Sequence, residues 1–389
     1  MDTRQFIAQH LHDDVHELAL KYHNAKVDMA LALRQIEARQ LLQKKVPSWS
    51  ENEDLLFPAH LSIEQCSSEV TARYKASLLT GDTFADLTGG LGVDCFFISQ
   101  RFQQADYVEQ SAELCALAEH NFKTLSGNPP RVVNETAESY LSHCPSVDGF
   151  FVDPARRDRY GRKTVSIADC TPNLLEIQDR LLGKARKVMV KLSPMLDLSQ
   201  ALEQLRQVSE VHVVAVANEC KELLFVMEAD PRGEPLFTCV NLLTNQPQVR
   251  FTRREEQSCQ PVLASSVSAY LYEPHAALLK AGCFKWLSQR FGVWKLHRNS
   301  HLYTSDTLVA DFPGRIFKVE GWAPYNKALR KTLLAGVDKA SVATRNFPLD
   351  VAALRKALRI ADGEGLYLFA TQLVGDRKVI IKATKADAE

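Results

Sequence analysis

The sequence lacks several features that would assign it to a common class of protein. It has no run of about 18 apolar residues, which a membrane-spanning helix requires. Residues 1–5 lack the basic start and apolar segment of an export signal. None of its nine cysteines forms a C-x-x-C pair, as is typical of reduced thiols rather than of a disulfide framework. His12 and His16 are four residues apart without a clear third ligand. We therefore expect a cytoplasmic protein without a membrane anchor or a metal.

The sequence also lacks net charge, with 47 basic and 47 acidic residues among 389. The charges are nevertheless uneven. Residues 1–260 contain 28 Lys and Arg against 36 Asp and Glu, whereas residues 261–389 contain 19 against 11. A basic final third favours contact with a polyanion such as nucleic acid, although small domains often carry a few excess charges.

The most informative segment that is present is residues 83–94, Thr-Phe-Ala-Asp-Leu-Thr-Gly-Gly-Leu-Gly-Val-Asp. A short apolar strand precedes a tight turn, and an apolar helix begins at Val93. A backbone that turns sharply and lies close to a ligand requires glycine, because a Cβ would obstruct the approach. The turn contains three: Gly89, Gly90 and Gly92.

Two carboxylates flank this turn, Asp86 before it and Asp94 after it. A helix N-terminus favours anions such as a pyrophosphate, but both carboxylates would repel one. The dinucleotide fingerprint G-x-G-x-x-G also fails, because Cys95 occupies its third glycine position. S-adenosylmethionine fits better, since it carries a sulfonium and an ammonium group. We interpret the turn as a methyl-donor site, with a glycine-rich turn without ligand and a nicotinamide site as alternatives.

Strand and helix patterns alternate from Thr71 to about Met227, as is typical of a largely parallel sheet with helices on both faces. The last predicted strand, residues 223–227, follows its predecessor after only a short turn. A parallel crossover needs a dozen or more residues, so this strand must be antiparallel. The pattern predicts a Rossmann-like α/β sheet of seven strands with an antiparallel last strand, as in class I methyltransferases. A dinucleotide-binding fold keeps its strands parallel.

Other patterns flank this α/β segment. Residues 1–70 have a helical pattern without a catalytic motif, most regular over 27–45 and ended by Pro47. Residues 231–235 mark a boundary, and a small mixed α/β region begins beyond Pro261. Three further helical stretches are predicted there: residues 276–291, 327–335 and 351–358.

Polar residues follow the second and third predicted strands, at the edge where open α/β sheets bind ligands. The Glu109 carboxylate ends the second strand and can accept both hydroxyls of an adenosine ribose. Alternatively, it is an acidic residue that stabilises the following helix N-terminus. Glu135 and Thr136 follow the third strand and are predicted to contact the adenine.

The fourth strand ends in Asp153-Pro154-Ala155-Arg156. A base amine is a poor nucleophile, because its lone pair is delocalised into the ring. The Asp153 carboxylate and the Pro154 carbonyl could accept its N–H hydrogen bonds and aim the nitrogen at the methyl group. Alternatively, the Asp-Pro pair only ends a strand and begins a turn. No cysteine follows the fifth strand, which disfavours methylation through a cysteine adduct.

A basic segment follows directly at residues 156–163. Five of its eight residues are Lys or Arg, which suits a phosphate backbone, and Tyr160 offers a stacking face; a solvated charged loop is the alternative. Lys191 ends the fifth strand at the same edge. The predicted substrate contacts are Arg156, Arg157, Arg159, Tyr160, Arg162, Lys163 and Lys191.

These motifs resemble bacterial class I S-adenosylmethionine-dependent methyltransferases with a THUMP-like C-terminal domain. The resemblance covers most of the chain and also includes residues 71–75, 272–274, 312–315 and 343–348. Residues and resemblance together give these predicted cofactor contacts: Lys75, Asp86, Thr88, Gly89, Gly90, Gly92, Asp94, Glu109, Glu135 and Thr136.

The resemblance implies four regions: a helical region (1–70), a methyltransferase domain (71–255), a small ferredoxin-like domain (256–318) and a THUMP-like domain (319–389). THUMP domains are associated with RNA modification, so it implies methylation of an RNA base nitrogen by direct in-line transfer. Amine methyltransferases usually show Asp/Asn-Pro-Pro and an aromatic residue, where this chain has Ala155 and Arg156. A non-catalytic RNA-binding module that keeps the cofactor pocket, and methylation of a small molecule or protein, are the alternatives.

Overall fold

The computed structural model describes residues 2–22, 27–58, 60–155 and 166–386, with the backbone alone for residues 60–62. The chain forms two compact units, Met1–Glu210 with Leu223–Gly233, and Val211–Glu222 with Glu234–Glu389. Within the described ranges no helix has the length and apolar character to cross a bilayer. The cysteines, all of which lie in these ranges, are free thiols.

Helices precede the sheet of the first unit. Their bounds are α1 Thr3–Gln9, α2 Val15–Lys21, α3 Met29–Lys45, α4 Pro47–Ser50, α5 His60–Gln65 and α6 Glu69–Ala76. The side chains of Asp2, Asp14 and Asp28 accept backbone N–H groups at the starts of α1 to α3, which satisfies donors that a helix leaves unpaired. Pro47 follows the end of α3, as predicted, and begins α4, where its missing N–H is not needed.

The predicted alternation of strands and helices is confirmed. The strands are β1 Thr83–Asp86, β2 Gln104–Val108, β3 Arg131–Val133, β4 Val147–Val152, β5 Ala185–Leu192, β6 Val208–Val216 and β7 Glu219–Glu228. The helices between them are α7 Val93–Ser99, α8 Ala112–Leu125, α9 Ala137–His143, α10 Leu174–Lys184 and α11 Leu198–Gln204. Strand β4 is buried at almost every position, because a parallel sheet is covered by helices on both faces.

These strands are neighbours in the order β3-β2-β1-β4-β5-β7-β6, and the sheet formed by the described residues has nine strands rather than the seven predicted, because two more strands follow β6 at its edge. Strands β1 to β5 pair in parallel, and β7 pairs antiparallel with β5. The antiparallel last strand was predicted from the short turn before it. Its position is an additional finding, since β7 lies between β5 and β6 rather than at the edge.

The helical region is attached to the sheet region within the first unit. The Asn121 side chain on α8 accepts a hydrogen bond from Leu56 N at 2.9 Å and donates one to Leu56 O at 2.8 Å. Trp49 on α4 packs edge-on against Phe96 on α7. These contacts fix the segment before the sheet against the two helices that flank β1 and β2.

The second unit contains a pair of antiparallel strands, β8 Leu236–Leu242 and β9 Val249–Thr252, followed by α12 Arg253–Ser258. Its described residues also form a sheet of order β11-β12-β10-β13-β16-β15-β14. These strands are β10 Tyr270–Pro274, β11 Trp294–Lys295, β12 Tyr303–Ser305, β13 Gly314–Pro324, β14 Ser341–Thr344, β15 Leu366–Leu373 and β16 Arg377–Lys385. Neighbours run antiparallel except β14 and β15. Alternate residues of β15 supply two cores, Leu368 and Ala370 on one face and Phe369 on the other.

Two helix predictions in this unit need correction. The helix predicted over 276–291 is divided into α13 Ala276–Ala281 and α14 Phe284–Phe291, because Gly282 between them has a left-handed φ of +79°. The stretch predicted over 327–335 contains only the short 3₁₀ turn Leu329–Lys331. The helix predicted over 351–358 is confirmed as α15 Val351–Leu358.

Candidate functional site

Asp86 ends β1 as a buried carboxylate, 1% exposed. It accepts a hydrogen bond from Thr88 N at 2.9 Å, and among the described residues it has no basic partner. Burial raises the pKa of Asp86 well above its usual range, and the negative charges of Asp94 and Asp153 raise it further. A cation bound beside Asp86 would reverse this effect, so the position suits a positively charged ligand group.

The structure gives different reasons for the presence of glycine at the three positions of the turn. A Cβ on Gly89 would lie 2.2 Å from the Tyr107 ring, and one on Gly92, whose φ is +87°, would lie 2.8 Å from Phe122. Packing therefore requires both of these glycines. Gly90 has a φ of +54° and its added Cβ would meet nothing closer than 3.7 Å. Only Gly90 thus leaves open space, as an approaching ligand would need.

Glu109 follows β2 and is held against the turn. Its Oε2 accepts a hydrogen bond from Gly90 N at 3.0 Å, and its Oε1 accepts one from Ser111 N at 2.9 Å. Each carboxylate oxygen can accept a second hydrogen bond, which leaves capacity for the two hydroxyls of a ribose. Tyr107 was not among the predicted site residues, yet its hydroxyl donates to Gly90 O at 2.6 Å. Its position in the sequence, two residues before Glu109, is the signal that could have identified it.

The negative charge of Asp94 is compensated by a neighbouring lysine of the same unit. Its Oδ1 lies 3.1 Å from Nζ of Lys75 on α6, and its Oδ2 accepts a hydrogen bond from the Ser67 hydroxyl at 2.6 Å. Lys75 is completely buried and also donates to Ser67 Oγ at 2.9 Å. The negative charge that favours a cationic ligand therefore lies mainly on Asp86. Cofactor contacts by Lys75 and Asp94 stay predictions.

Asp153 is joined to the glycine turn from the neighbouring strand. Its backbone N donates to Thr88 Oγ1 at 2.7 Å, because β1 and β4 are adjacent and end at the same edge. Its carboxylate Oδ2 forms an ion pair with Nζ of Lys191, at the end of β5. The structure therefore brings Asp86, Thr88, Asp153 and Lys191 to one edge of the sheet. Pro154 is buried, and the backbone of Ala155 exchanges hydrogen bonds of 2.8 and 3.0 Å with Thr171.

Glu135 and Thr136 follow β3 and form local contacts at the start of α9. The Thr136 hydroxyl accepts a hydrogen bond from Ser139 N at 3.2 Å. His143 and the Ser139 hydroxyl, which donates at 2.9 Å, lower the pKa of Glu135. A contact with adenine by either residue stays a prediction. Six of the seven predicted substrate contacts lie outside the described residues: Arg156, Arg157, Arg159, Tyr160, Arg162 and Lys163.

A parallel sheet with an inserted antiparallel strand, a glycine turn after β1 and a carboxylate after β2 define the class I methyltransferase architecture. A crystal structure of a protein from Porphyromonas gingivalis W83, described as a methyltransferase, matches with a TM-score of 0.88 and 35% identity. The match covers 99% of this chain and 98% of that chain.

Sequence relatives agree with this class. Proteins from two strains of Mycobacterium tuberculosis, described as uncharacterized S-adenosylmethionine-dependent methyltransferases, are 23% identical over 315 residues, which is 80% of this chain and 83% of each relative. A family model for a ferredoxin-like domain matches residues 270–313, and one described as THUMP domain-like matches residues 314–385. The chain belongs to this family of S-adenosylmethionine-dependent methyltransferases with a THUMP-like C-terminal domain. It is an enzyme, and S-adenosylmethionine is its cofactor.

Proposed function

We propose that the protein methylates a base nitrogen of RNA by direct in-line transfer. One contact supports this most directly, the hydrogen bond from Asp153 N to Thr88 Oγ1 at 2.7 Å. It joins the turn proposed to hold the methyl donor to the motif proposed to hold the acceptor. Holding the two reacting groups side by side in this way lowers the entropic part of the activation free energy.

The donor side is proposed from the charges and open space around the glycine turn. The buried Asp86 carboxylate would bind the ammonium group of the cofactor. The two Glu109 oxygens would accept hydrogen bonds from the ribose hydroxyls, and the bare Cα of Gly90 would let the cofactor approach the backbone. When bound, the cofactor supplies an electrophilic methyl group on a sulfonium sulfur. Glu135 and Thr136 are retained as proposed adenine contacts.

The acceptor side is proposed from Asp153 and its partner. Lys191 holds one carboxylate oxygen, and the other, Oδ1, has no hydrogen-bond partner in the described part of the chain. Oδ1 and the Pro154 carbonyl would accept the N–H groups of the target amine and localise its lone pair on nitrogen. In the proposed transfer, the nitrogen would bond to the methyl carbon while the bond from that carbon to sulfur breaks with its electrons on sulfur. The nitrogen would then lose its proton to Asp153 or to solvent.

RNA is proposed as the substrate because the THUMP domain-like match covers residues 314–385 and the sequence beyond residue 260 is basic. The basic segment 156–163 is proposed to bind phosphates beside the acceptor site. The four-region division at residues 70, 255 and 318 is retained as part of this proposal. The two regions that follow the sheet region would then recognise the RNA while the sheet region performs the transfer.

Replacement of Asp153 by Asn tests the proposed mechanism. D153N should still bind S-adenosylmethionine by calorimetry, because Asp153 is proposed to contact only the acceptor. It should lose at least about a hundredfold in transfer of labelled methyl groups to RNA from cells that lack the protein. D179N is the matched control, because Asp179 is an exposed carboxylate paired with Arg206 on the surface. Unchanged turnover in D153N would remove Asp153 from the mechanism.

The same assay tests the substrate class. RNA from cells that lack the protein is incubated with the wild-type enzyme and then digested to nucleosides. Mass spectrometry should detect a new N-methylated base in the digest. Labelled methyl groups found only in protein or in small molecules would contradict RNA as the substrate. In that case D153N still reports on the transfer step, because its readout is the label whatever the acceptor.

A further inference from the structure

Three sequence motifs that the proposed reaction does not use meet at one buried carboxylate in the second unit. Glu273 on β10 is 3% exposed. Its Oε2 accepts a hydrogen bond from Arg315 Nε at 2.9 Å, and Arg315 Nη2 also contacts this oxygen. Its Oε1 accepts one from Arg345 Nε at 2.7 Å, and Arg345 Nη2 lies 2.6 Å away. We call these three residues the arginine–glutamate cluster.

The local backbone accounts for the meeting of these residues. In the antiparallel pair of β10 and β13, Glu273 stands opposite Arg315. A Cβ on the preceding Gly314 would lie 2.1 Å from the Glu273 carbonyl oxygen, so only glycine allows the strands to approach this closely. Arg345 follows β14, where its backbone N donates to Ala370 O at 2.9 Å.

The cluster has more positive charge than the carboxylate requires. One guanidinium compensates a buried carboxylate, and the second leaves an excess of one positive charge. In the described residues no other acidic side chain forms an ion pair with Arg315 or Arg345. Two guanidinium groups on one carboxylate repel each other in a partly desolvated environment, and a bound anion would relieve that repulsion.

The cluster is also accessible and pre-arranged. The side chains of Arg315 and Arg345 are 35% and 38% exposed, whereas that of Glu273 is 4% exposed. Arg315 Nη1 has no hydrogen-bond partner in the described part of the chain, and the guanidinium lies over the Phe317 ring at 5.5 Å. Arg345 Nη1 donates to Thr344 O at 2.8 Å, so Arg315 Nη1 is the free donor of this fixed pair. A free donor on a fixed guanidinium matches an oxygen of a phosphate.

We infer that the arginine–glutamate cluster binds a backbone phosphate of the RNA substrate. This inference rests on the proposed RNA substrate and names residues of the second unit that would hold it. Glu273 is a positioning residue, because it fixes both guanidinium groups and does not itself contact the phosphate. The site distinguishes a phosphodiester from a neutral ligand by charge, not by base sequence.

R315Q tests the inference, because Glu273 keeps Arg345 as its partner and the variant should stay folded. At low salt, R315Q should bind a single-stranded RNA oligonucleotide about tenfold more weakly than the wild type. The slope of log affinity against log salt should fall by roughly 0.7, the value for one lost phosphate contact. R315K, which keeps the charge but loses the planar fork, should be intermediate. R206Q is the control, since Arg206 is an exposed arginine with its own carboxylate partner.

The outcomes separate this inference from the proposed substrate. If the wild type binds RNA with a steep salt slope and R315Q has the same slope and affinity, the cluster only joins strands and the inference is wrong. If the wild type binds no RNA, the RNA substrate is wrong. Inorganic phosphate titrated into the full chain then tests the cluster alone. A shift of the Arg315 Nε–H NMR signal that is lost in R315Q would support a phosphate site, and no shift would contradict it.

Discussion

Lys75 Nζ lies 3.1 Å from Asp94 Oδ1, and the lysine is completely buried. The pair joins α6, which precedes the sheet, to the first turn of α7, which follows the glycine turn. It therefore ties α6 to the helix that follows the glycine turn and compensates the charge of Asp94. Selection of a cationic ligand would then depend on Asp86, whose carboxylate has no such partner within the described ranges.

Lys75→Met should destabilise the protein by about 3–5 kcal/mol, because it leaves a buried carboxylate without its counter-ion. The loss is measurable as a lower free energy of unfolding in urea. The double variant K75M/D94L should recover much of it, since an apolar pair of similar volume needs no charge compensation. Losses that simply add in the double variant would show that the two side chains are not coupled.

Gly90→Ala should weaken cofactor binding while leaving the fold nearly intact. The left-handed φ of +54° costs an alanine about 1–2 kcal/mol, and its Cβ has no neighbour closer than 3.7 Å. We expect the rise in melting temperature on adding S-adenosylmethionine to shrink, as a tenfold weaker ligand stabilises less. G127A is the control, because a Cβ on Gly127 meets nothing within 4 Å at an ordinary φ.

Gly89→Ala should behave differently from Gly90→Ala. Its Cβ would lie 2.2 Å from the Tyr107 ring, so the ring must move and its hydrogen bond to Gly90 O is strained. We expect a loss of about 1–3 kcal/mol in unfolding free energy measured without cofactor. The distinction between Gly90 as the ligand-facing glycine and Gly89 as the packing glycine would be wrong under two results together. These are a wild-type rise in melting temperature for G90A on adding S-adenosylmethionine, and a wild-type stability for G89A.

The sequence contained enough information for strands β1 to β7 because the signals for them are local, whereas the two further strands of the sheet lie beyond the seven predicted. The short turn before β7 forces an antiparallel strand, and the glycine turn after β1 follows directly from residues 86–92. The partners of Asp94 and Glu273 could not be predicted in this way. Glu273 is 42 residues from Arg315 and 72 from Arg345, so only the fold brings them together. Ordinary packing against Tyr107 likewise explains Gly89, although its sequence context suggested a ligand.

The pH dependence of cofactor binding should follow Asp86. The pKa of Asp86 is raised in the free protein because the carboxylate is desolvated, so a cationic ligand must displace the proton whenever the pH lies below that raised value. Affinity should therefore increase as the pH rises from the usual titration range of aspartate, about 3.9, through the raised native value. Calorimetry in two buffers of different ionisation enthalpy measures the released proton. D86N should bind weakly and release none.

The same raised pKa gives a prediction for the free protein. The native state binds the Asp86 proton more tightly than the unfolded chain does. Its contribution to stability is therefore fully present below the unfolded pKa and is lost as the pH rises through the native one. At neutral pH, D86N without cofactor should unfold at a higher urea concentration than the wild type. If D86N bound the cofactor as tightly as the wild type does, the role proposed for Asp86 would be contradicted.

His275 should make the second unit sensitive to acid. It is 1% exposed, neither ring nitrogen has a hydrogen-bond partner in the described chain, and burial lowers its pKa to about 4. Between about pH 6.5 and that value the unfolded chain binds a proton that the native state excludes. The contribution of neutral His275 to stability is therefore fully present above the pKa of the unfolded chain and is lost as the pH falls through the pKa of the native state.

His275→Leu should remove part of this loss and also eliminate two unsatisfied buried nitrogens. The urea midpoint of H275L should exceed that of the wild type at pH 5 by more than at pH 7.5. Some acid sensitivity should persist, because burial also lowers the pKa of His301 to about 4. H16L, at an exposed position on α2, controls for loss of a histidine. Equal losses between pH 7.5 and pH 5 in H275L and the wild type would show that His275 does not cause the acid sensitivity.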